Sequence, residues 1–359
     1  MAKQRIIGID VARALAVIGM IIVNFKVVLG AKGHLWVETI ARVFDGKAAA
    51  TFVVLAGVGL ALMTNTAIKN KDAIKIKIIR IRILKKALFL FGVGISYIAL
   101  WPADILHFYG VYMAIVVLLL TCTEKTILIS AIALICSFPI LMIFWNYEMG
   151  WNFNTLEYET FWTLKGFLRN LFFNGFHPVL PWAAFILFGY WFGKQDLHNN
   201  KFVKNTFFIS AFIFIAIQIL SYMTILFLSE GNKETAKELT EILGTNPMPP
   251  LPIYMCNGIA IAIALISGCI LISKKLKNSY IIDALHKTGQ LALTFYAAHV
   301  VLGMGVIEAI NPAKMGKYAL EFSMIYALVF SFACVLFAVI WRRYKKLGPL
   351  EWLMKKVTG

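Results

Sequence analysis

Long apolar segments recur along this chain of 359 residues, and few charged side chains interrupt them. A run of roughly 17–25 apolar residues is long enough to cross the hydrocarbon layer of a membrane as an α-helix. The backbone polar groups of such a run must pair within the segment, and these runs lack the alternating polarity of barrel strands. The sequence therefore predicts an all-α polytopic membrane helical bundle.

Ten membrane-spanning helices are predicted, with no internal repeat among them. Their windows fall at about 6–29, 48–66, 83–100, 104–121, 126–145, 179–194, 205–229, 252–273, 289–310 and 319–341. We interpret the first window as a retained signal anchor, because Asp10 and Arg13 interrupt it and no small-x-small cleavage site follows. Residues 1–359 are expected to form a single integral membrane domain.

The charge distribution predicts the orientation of these helices. Only 15% of the residues are charged, yet the formal net charge is +17. With both termini in the cytoplasm, 24 of the 35 Lys and Arg residues, including Lys3 and Arg5, fall in cytoplasmic segments and ten in outer loops. Cytoplasmic loops of membrane proteins are enriched in Lys and Arg, so we expect both termini inside and no nucleic-acid partner.

Several polar residues fall at the outer ends of the predicted helices. These residues are Asn24, His34, Asp45, Asp104, His107 and His177. Each alone has an ordinary structural explanation; Asp45, for example, suits a helix cap. Polar side chains at one membrane depth are costly, however, and they usually line a site or a path. Three histidines and two aspartates at one membrane face therefore favour a functional site there.

Other polar residues fall within the predicted helices or at their inner ends. His299 is halfway along the ninth helix, and Trp182 follows His177 in FHPVLPW. Asp10 and Arg13 are spaced to pair on one helix face, which favours a structural ion pair over a ligand contact. The stretch IKIKIIRIRILKK alternates like a strand, but its position indicates a basic cytoplasmic connection. It could bind a phosphorylated ligand or merely set the topology.

Two outer loops are long enough to carry structure of their own. Residues 146–178 contain Trp151 and Tyr158 among amides and carboxylates, which suits a sugar-like acceptor or an interfacial aromatic belt. Residues 229–246 are predicted to form a short polar helix that ends at Gly244.

Several motifs along the chain occur together in one known family. They are GIDVARALAVIGMIIVNF, the loop with His34, FDGKAAATFVVLAGVG, ILHFYGVYM, FHPVLPWAAFILFGYWFGK, TGQLALTFYAAH and GPLEWLMKK. In these motifs the chain resembles the transmembrane acyltransferase superfamily, which includes heparan-α-glucosaminide N-acetyltransferase and many bacterial proteins. The resemblance implies that acyl-CoA enters from the cytoplasm and that an acceptor is acylated on the opposite side. It places the essential histidine of the family on His34 and the family's asparagine on Asn24, although the spacing to Asp45 is one residue longer here.

These residue types suit acyl transfer. His34 can act as a base or as an acyl acceptor, Asn24 can stabilise the oxyanion, and Asp45 or Asp104 can orient the imidazole. The sequence leaves direct transfer and an acyl-histidine intermediate both open. The residues assigned to substrate binding are Asp104, His107, His177, His299 and Trp182, and those assigned to the phosphates of the donor are Arg13, Arg80, Arg82 and Lys86.

The predicted function is transfer of an acyl group, in the first place acetyl, from acetyl-CoA or another acyl-CoA to a hydroxyl or amine of an extracytoplasmic sugar or glycan. No metal is expected. The other expected partners are the lipid bilayer of the bacterial cell (inner) membrane and a second copy of the chain in a homodimer. A proton- or solute-coupled secondary transporter is the alternative, because intramembrane His and Asp residues also occur in carriers.

Overall fold

The computed structural model describes residues 5–153 and 155–359, so Lys3 lies outside the described part of the chain. Its helices are α1 (Ile7–Leu29), α2 (Leu35–Arg42), α3 (Lys47–Lys69), α4 (Ala73–Tyr97), α5 (Leu106–Leu118), α6 (Glu124–Phe144), α7 (Leu164–Arg169), α8 (Val179–Lys194), α9 (Asn200–Ser229), α10 (Lys233–Leu243), α11 (Pro252–Lys275), α12 (Tyr280–Gly289), α13 (Ala292–Ala298), α14 (Gly305–Ile310), α15 (Leu320–Tyr344) and α16 (Pro349–Thr358). Two π-helical turns (Asn170–Asn174 and His299–Met304), a 3₁₀ turn (Pro312–Lys314) and the paired strands β1 (Trp151–Asn152) and β2 (Glu157–Tyr158) complete the regular structure. The all-α prediction is confirmed.

Seven helical segments of the described chain are long and apolar enough to cross a membrane. They are Ile7–Leu29, Leu35–Lys69, Glu124–Phe144, Asn200–Ser229, Pro252–Lys275, Ala292–Ile310 and Leu320–Tyr344. The bent pair Leu164–Asn174 and Val179–Lys194 makes an eighth if it counts as one span. The remaining two predicted spans correspond to α4, whose first half is basic, and to α5, which has only 13 residues. The count of ten therefore stays a prediction.

The described residues divide into two compact units. The first contains the described residues up to Phe52, His198–Phe208 and Ala262–Val357, and the second contains Val53–Leu197, Ile209–Ile261 and Thr358–Gly359. The prediction of a single membrane domain is neither supported nor contradicted by this division.

In the first unit, α1 packs against α12 and α15. Close approach requires small residues at the contacts: a Cβ on Gly289 would overlap the carbonyl of Asp10, and one on Gly8 would overlap the backbone of Ile270. The loop after α1 pairs with the segment before α15, since Tyr318 N–H donates to Leu29 O (3.0 Å). This backbone pairing brings residues 30–34 beside the first turn of α15.

In the second unit, α4 lies along α5 and α6 lies along α8. The basic stretch that alternates like a strand is helical throughout α4, which Asp72 caps by accepting from Lys75 N–H at 2.9 Å. A helix satisfies the backbone groups of this apolar and basic stretch without a partner strand. The predicted polar helix before Gly244 is confirmed as α10, which Asn232 caps.

Residues 146–178, predicted to form an outer loop, fold around Asn174 in the second unit. The Nδ2 group of Asn174 donates to Tyr147 O and Met149 O, while Tyr158 Oη donates to Asn174 Oδ1 at 2.8 Å. Trp151 Nε1–H donates to Asn174 O at 2.5 Å. Burial raises the pKa of the Tyr158 hydroxyl even though the hydrogen bond and the charge of Arg169 oppose the shift. Trp151 and Tyr158 are thus held inside the loop by internal bonds.

Candidate active site

His34 pairs with Glu321 at one end of the first unit. Its Nδ1 lies 2.7 Å from Glu321 Oε1, and the same oxygen accepts the backbone N–H of His34 at 2.7 Å. The carbonyl of His34 starts α2 by accepting from Val37 N–H, and α2 is anchored where Val37 and Ala41 pack on Leu320. The imidazole itself is 78% exposed. A carboxylate on Nδ1 of a neutral imidazole leaves Nε2 as the proton acceptor.

Asn24 lies in α1, before the loop that carries His34, and its side chain contacts that of His299. The amide Nδ2 of Asn24 donates to His299 Nε2 at 2.9 Å. His299 is buried and begins the π-helical turn His299–Met304, a type of distortion that is frequent at functional sites. An amide NH₂ group carries two donors, so Asn24 retains a second N–H beyond the one directed at His299.

Asp45 pairs with Lys26, and His34 is not among its hydrogen-bond partners in the described part of the chain. Lys26 Nζ lies 2.5 and 2.7 Å from the two carboxylate oxygens of Asp45. In the structure Glu321 occupies the Nδ1 side of the His34 imidazole and Asp45 faces Lys26. The role of Asp45 or Asp104 in orienting His34 stays a prediction.

A cavity of about 230 Å³ lies beside the Lys26–Asp45 pair. It is lined by Lys26, Ala31, Glu38, Arg42, Asp45 and Leu320. Glu38 and Arg42 form a second ion pair at 3.6 Å, so two cations and two carboxylates surround one small cavity. Hydroxyl and amine groups can bond to both kinds of side chain.

Asp104 and His107 form a buried pair in the second unit. Asp104 Oδ2 accepts the backbone N–H groups of Leu106 and His107 and lies 3.1 Å from His107 Nδ1. Both side chains are almost fully excluded from solvent. Gly94 of α4 makes this possible, because a Cβ there would overlap the backbone of His107 and the carboxylate of Asp104.

His177 and Trp182 lie near this pair. Their ring centroids are 4.6 Å apart, and His177 also stacks edge-on against Phe108, the neighbour of His107. The carbonyl of His177 accepts a hydrogen bond from Tyr112 Oη. His107 Nε2, His177 Nδ1 and Trp182 Nε1 are buried without a hydrogen-bond partner among the described residues. The second unit therefore brings together four of the predicted substrate-binding residues, while His299 belongs to the first.

Arg13, assigned to the donor phosphates from sequence, is held by Asp10. Arg13 Nη1 and Arg5 Nε lie 2.7 Å from the two oxygens of Asp10, and His286 Nδ1 lies 3.2 Å away. The carboxylate is buried, so these partners compensate its charge. The predicted pairing of Asp10 with Arg13 is present, and the cluster contains two more members, Arg5 and His286, than the sequence indicated. The structural role favoured for this pair stays a prediction.

The other three predicted phosphate ligands lie on α4. Arg80 donates to Thr121 Oγ1 at 3.1 Å, Arg82 is exposed and Lys86 is half-buried. Arg13 belongs to the first unit and these three to the second. Their role in binding the donor stays a prediction.

The chain matches two known family models. Residues 5–228 match the family model described as heparan-alpha-glucosaminide N-acetyltransferase, catalytic. The chain belongs to this family. Residues 189–359 match a second model, described as a protein of unknown function (DUF418). No curated protein and no solved structure matches the chain.

The family match confirms the resemblance to the acyltransferase superfamily and makes the chain a membrane acetyltransferase-like protein. Within the family's catalytic region lie His34, Asn24 and Asp45, whereas Glu321 and His299 fall in the second match. Glu321 was missed by sequence reasoning. It is one acidic residue in the first turn of a helix, where a carboxylate has the ordinary explanation of favouring the helix dipole.

Proposed function

We propose that this protein transfers an acyl group, in the first place acetyl, from cytoplasmic acyl-CoA to a hydroxyl or amine of an extracytoplasmic acceptor. A sugar or glycan is the proposed acceptor, and the bacterial inner membrane is the proposed location. The observation that carries the proposal is the exposed His34 imidazole with Glu321 on its Nδ1, in a chain that belongs to an acetyltransferase family. Acetyl-CoA is the proposed donor because that family is named for acetyl transfer.

His34 is proposed to be the general base. With Nδ1–H donated to Glu321, its Nε2 takes the proton from the acceptor O–H or N–H. The acceptor oxygen or nitrogen then forms a bond to the thioester carbonyl carbon, and the carbon–sulfur bond breaks as the tetrahedral intermediate collapses. The proton on Nε2 passes to the departing sulfur, so the products are the acylated acceptor and free CoA thiol. The negative charge of Glu321 stabilises the transient imidazolium.

Asn24 is proposed to stabilise the oxyanion of that intermediate. His299 holds one Nδ2 hydrogen, which fixes the plane of the amide and directs the other hydrogen away from His299. A preorganised donor of this kind lowers the barrier because it needs no reorientation during the reaction. His299 is then a positioning residue.

The acceptor is proposed to bind in the cavity lined by Glu38, Arg42 and Asp45. Leu320, the neighbour of Glu321, also lines this cavity, and α2 connects it to His34. Paired cations and carboxylates present donors and acceptors together, which suits the hydroxyl groups of a sugar.

The test is transfer from labelled acyl-CoA in sealed vesicles, with the donor on the cytoplasmic side and candidate sugars on the other. His34→Ala should abolish transfer while the folded protein still binds acyl-CoA. Because the side chain is 78% exposed, its removal should change the free energy of unfolding by no more than about 1 kcal/mol. Lys32→Ala, an exposed change in the same loop, should transfer at the wild-type rate. Wild-type transfer by a folded His34→Ala protein would refute the assignment, and His107 or His177 would be examined next.

A proton- or solute-coupled transporter is the second candidate. The buried pair Asp104–His107 and the unpartnered nitrogens of His177 and Trp182 are the features that favour it, since polar groups inside a membrane often line a path. Proton flux in liposomes, together with no acyl-CoA binding in calorimetry, would favour this function over acyl transfer.

A further inference from the structure

A basic cavity opens at the start of α1 in the first unit, away from every residue given a catalytic role. Its volume is about 230 Å³. It is lined by Arg5, Ile6, Ile7, Gly8, His198, Ile270, Ser273, Lys274 and Lys277. A water molecule takes up roughly 30 Å³ in the liquid, so the cavity has room for a group of several heavy atoms.

The charges around this cavity are strongly unbalanced. Arg5, Lys274 and Lys277 are cations, and none of the described lining residues is acidic. Arg5 also bonds to Asp10, a carboxylate that does not line the cavity and that bonds to Arg13 as well, so two guanidinium groups share one negative charge. An anion in the cavity would therefore be attracted by charges that no lining carboxylate offsets.

Two of the cations are held in place by the fold. Arg5 is fixed by the hydrogen bond from its Nε to Asp10 Oδ2. The two Nη groups of its guanidinium take no part in that bond. Lys274 Nζ donates to His198 O at 3.1 Å and to Asn200 Oδ1 at 2.6 Å. Holding charged side chains in one geometry reduces the entropy lost when a ligand binds.

Ser273 supplies an independent indication of a ligand. Its side chain is buried, and its Oγ has no hydrogen-bond partner among the described residues. A buried hydroxyl without a partner costs free energy that a bound acceptor would recover. Because Ser273 lines the same cavity as the cations, its hydroxyl is placed to donate to an anionic oxygen.

We propose that this cavity binds a phosphate ester through Arg5, Ser273, Lys274 and Lys277. Phosphate oxygens accept charge-assisted bonds from guanidinium and ammonium groups and a further bond from a hydroxyl. Two sources share this chemistry: the nucleotide part of a CoA donor and the headgroup of an anionic lipid. The nucleotide source rests on the proposed function, whereas the lipid source is independent of it.

The two sources are separated by two binding experiments on the full chain. Calorimetry in detergent at low salt uses adenosine 3′,5′-bisphosphate, which carries nucleotide phosphates but has no thiol or acyl group. Thermal unfolding in nanodiscs compares phosphatidylglycerol with phosphatidylcholine. Neither readout involves acyl transfer, so a failure here and a failure of the transferase proposal are distinguishable.

Lys277→Ala is the central variant, and Lys275→Ala is its matched control. Both lysines are exposed; Lys275 is the last residue of α11 and Lys277 lies in the turn just after it, and of the two only Lys277 lines the cavity. Loss of one charged hydrogen bond should weaken binding about tenfold. Ser273→Ala should also weaken it without lowering the unfolding temperature of the free protein. The nucleotide source predicts the loss in calorimetry, and the lipid source predicts the loss of the stabilisation given by phosphatidylglycerol.

Raising the salt concentration should weaken binding more in the wild type than in Lys277→Ala, since exposed charges are screened. Lys277→Arg should retain most of the binding. Equal behaviour of Lys277→Ala and Lys275→Ala with both probes would overturn the proposal, as would full binding by a Ser273→Ala, Lys277→Ala double variant.

Discussion

Nδ1 of His34 lies 2.7 Å from Oε1 of Glu321, although 287 positions separate the two residues in the chain. The same carboxylate oxygen accepts the backbone N–H of His34, so Glu321 holds both the ring and the peptide that carries it. An exposed histidine in a short loop would otherwise sample several rotamers. Glu321 thus gives an accessible imidazole a defined direction.

Glu321→Gln is expected to lower kcat for acyl transfer by about 100-fold, since misplacement of a catalytic group has a cost of that order. Acyl-CoA binding should be unchanged, because the hydrogen bonds described for the Glu321 carboxylate are with His34. Glu321→Asp should recover part of the rate. Steady-state kinetics with Glu308→Gln, an exposed change in the same unit, provides the control. A rise in KM with kcat unaltered would argue against a positioning role.

Asn24→Ala is expected to lower kcat by about 100- to 1000-fold, the usual loss when one oxyanion donor is removed. His299→Ala should reduce both kcat and thermal stability, because His299 is buried and its removal leaves the Asn24 amide without its partner. Asn278→Ala, at an exposed position, is the control for both measurements. Transfer by Asn24→Ala at the wild-type rate would exclude an oxyanion role.

Asp45→Asn is expected to lower the free energy of unfolding by about 1.5–3 kcal/mol, the range for a lost hydrogen bond to a charged group. The Lys26 side chain is only 12% exposed, so it would be left partly buried without its counter-charge. Adding Lys26→Met should restore part of the loss, and a double-mutant cycle measures the coupling. If Asp45→Asn instead keeps full stability and loses transfer, Asp45 has the catalytic role that the sequence indicated.

Lys71→Cys and Thr155→Cys should be labelled from opposite sides of the membrane. Both positions are exposed, and the distribution of Lys and Arg places the first inside and the second outside. The measurement is labelling of intact vesicles with an impermeant maleimide, in a background without native cysteines. Labelling of both from one side would contradict the topology with both termini in the cytoplasm.

The segments that form helices could be predicted from local sequence. A span such as α1 or α15 is marked by an apolar run of the required length, and that property does not depend on distant residues. The α10 helix was predictable for the same reason, since Asn232 and Gly244 are local end signals. The strand-like alternation in α4 did not identify the helix, because a pattern of neighbouring residues does not show which backbone hydrogen bonds the segment can form in the fold.

Pairing of side chains depended on the tertiary structure. The sequence determined which residue types could do acid–base chemistry and placed His34, Asn24 and Asp45 near the outer ends of their helices. It could not show that Asp45 faces Lys26 while His34 faces Glu321, because both contacts depend on how the loop after α1 pairs with the segment before α15. In the same way, Arg5 lines one cavity with Ser273, Lys274 and Lys277 because segments far apart in the chain pack together. Hydrophobic length is a property of one segment, whereas a site is made by the approach of segments far apart in the chain.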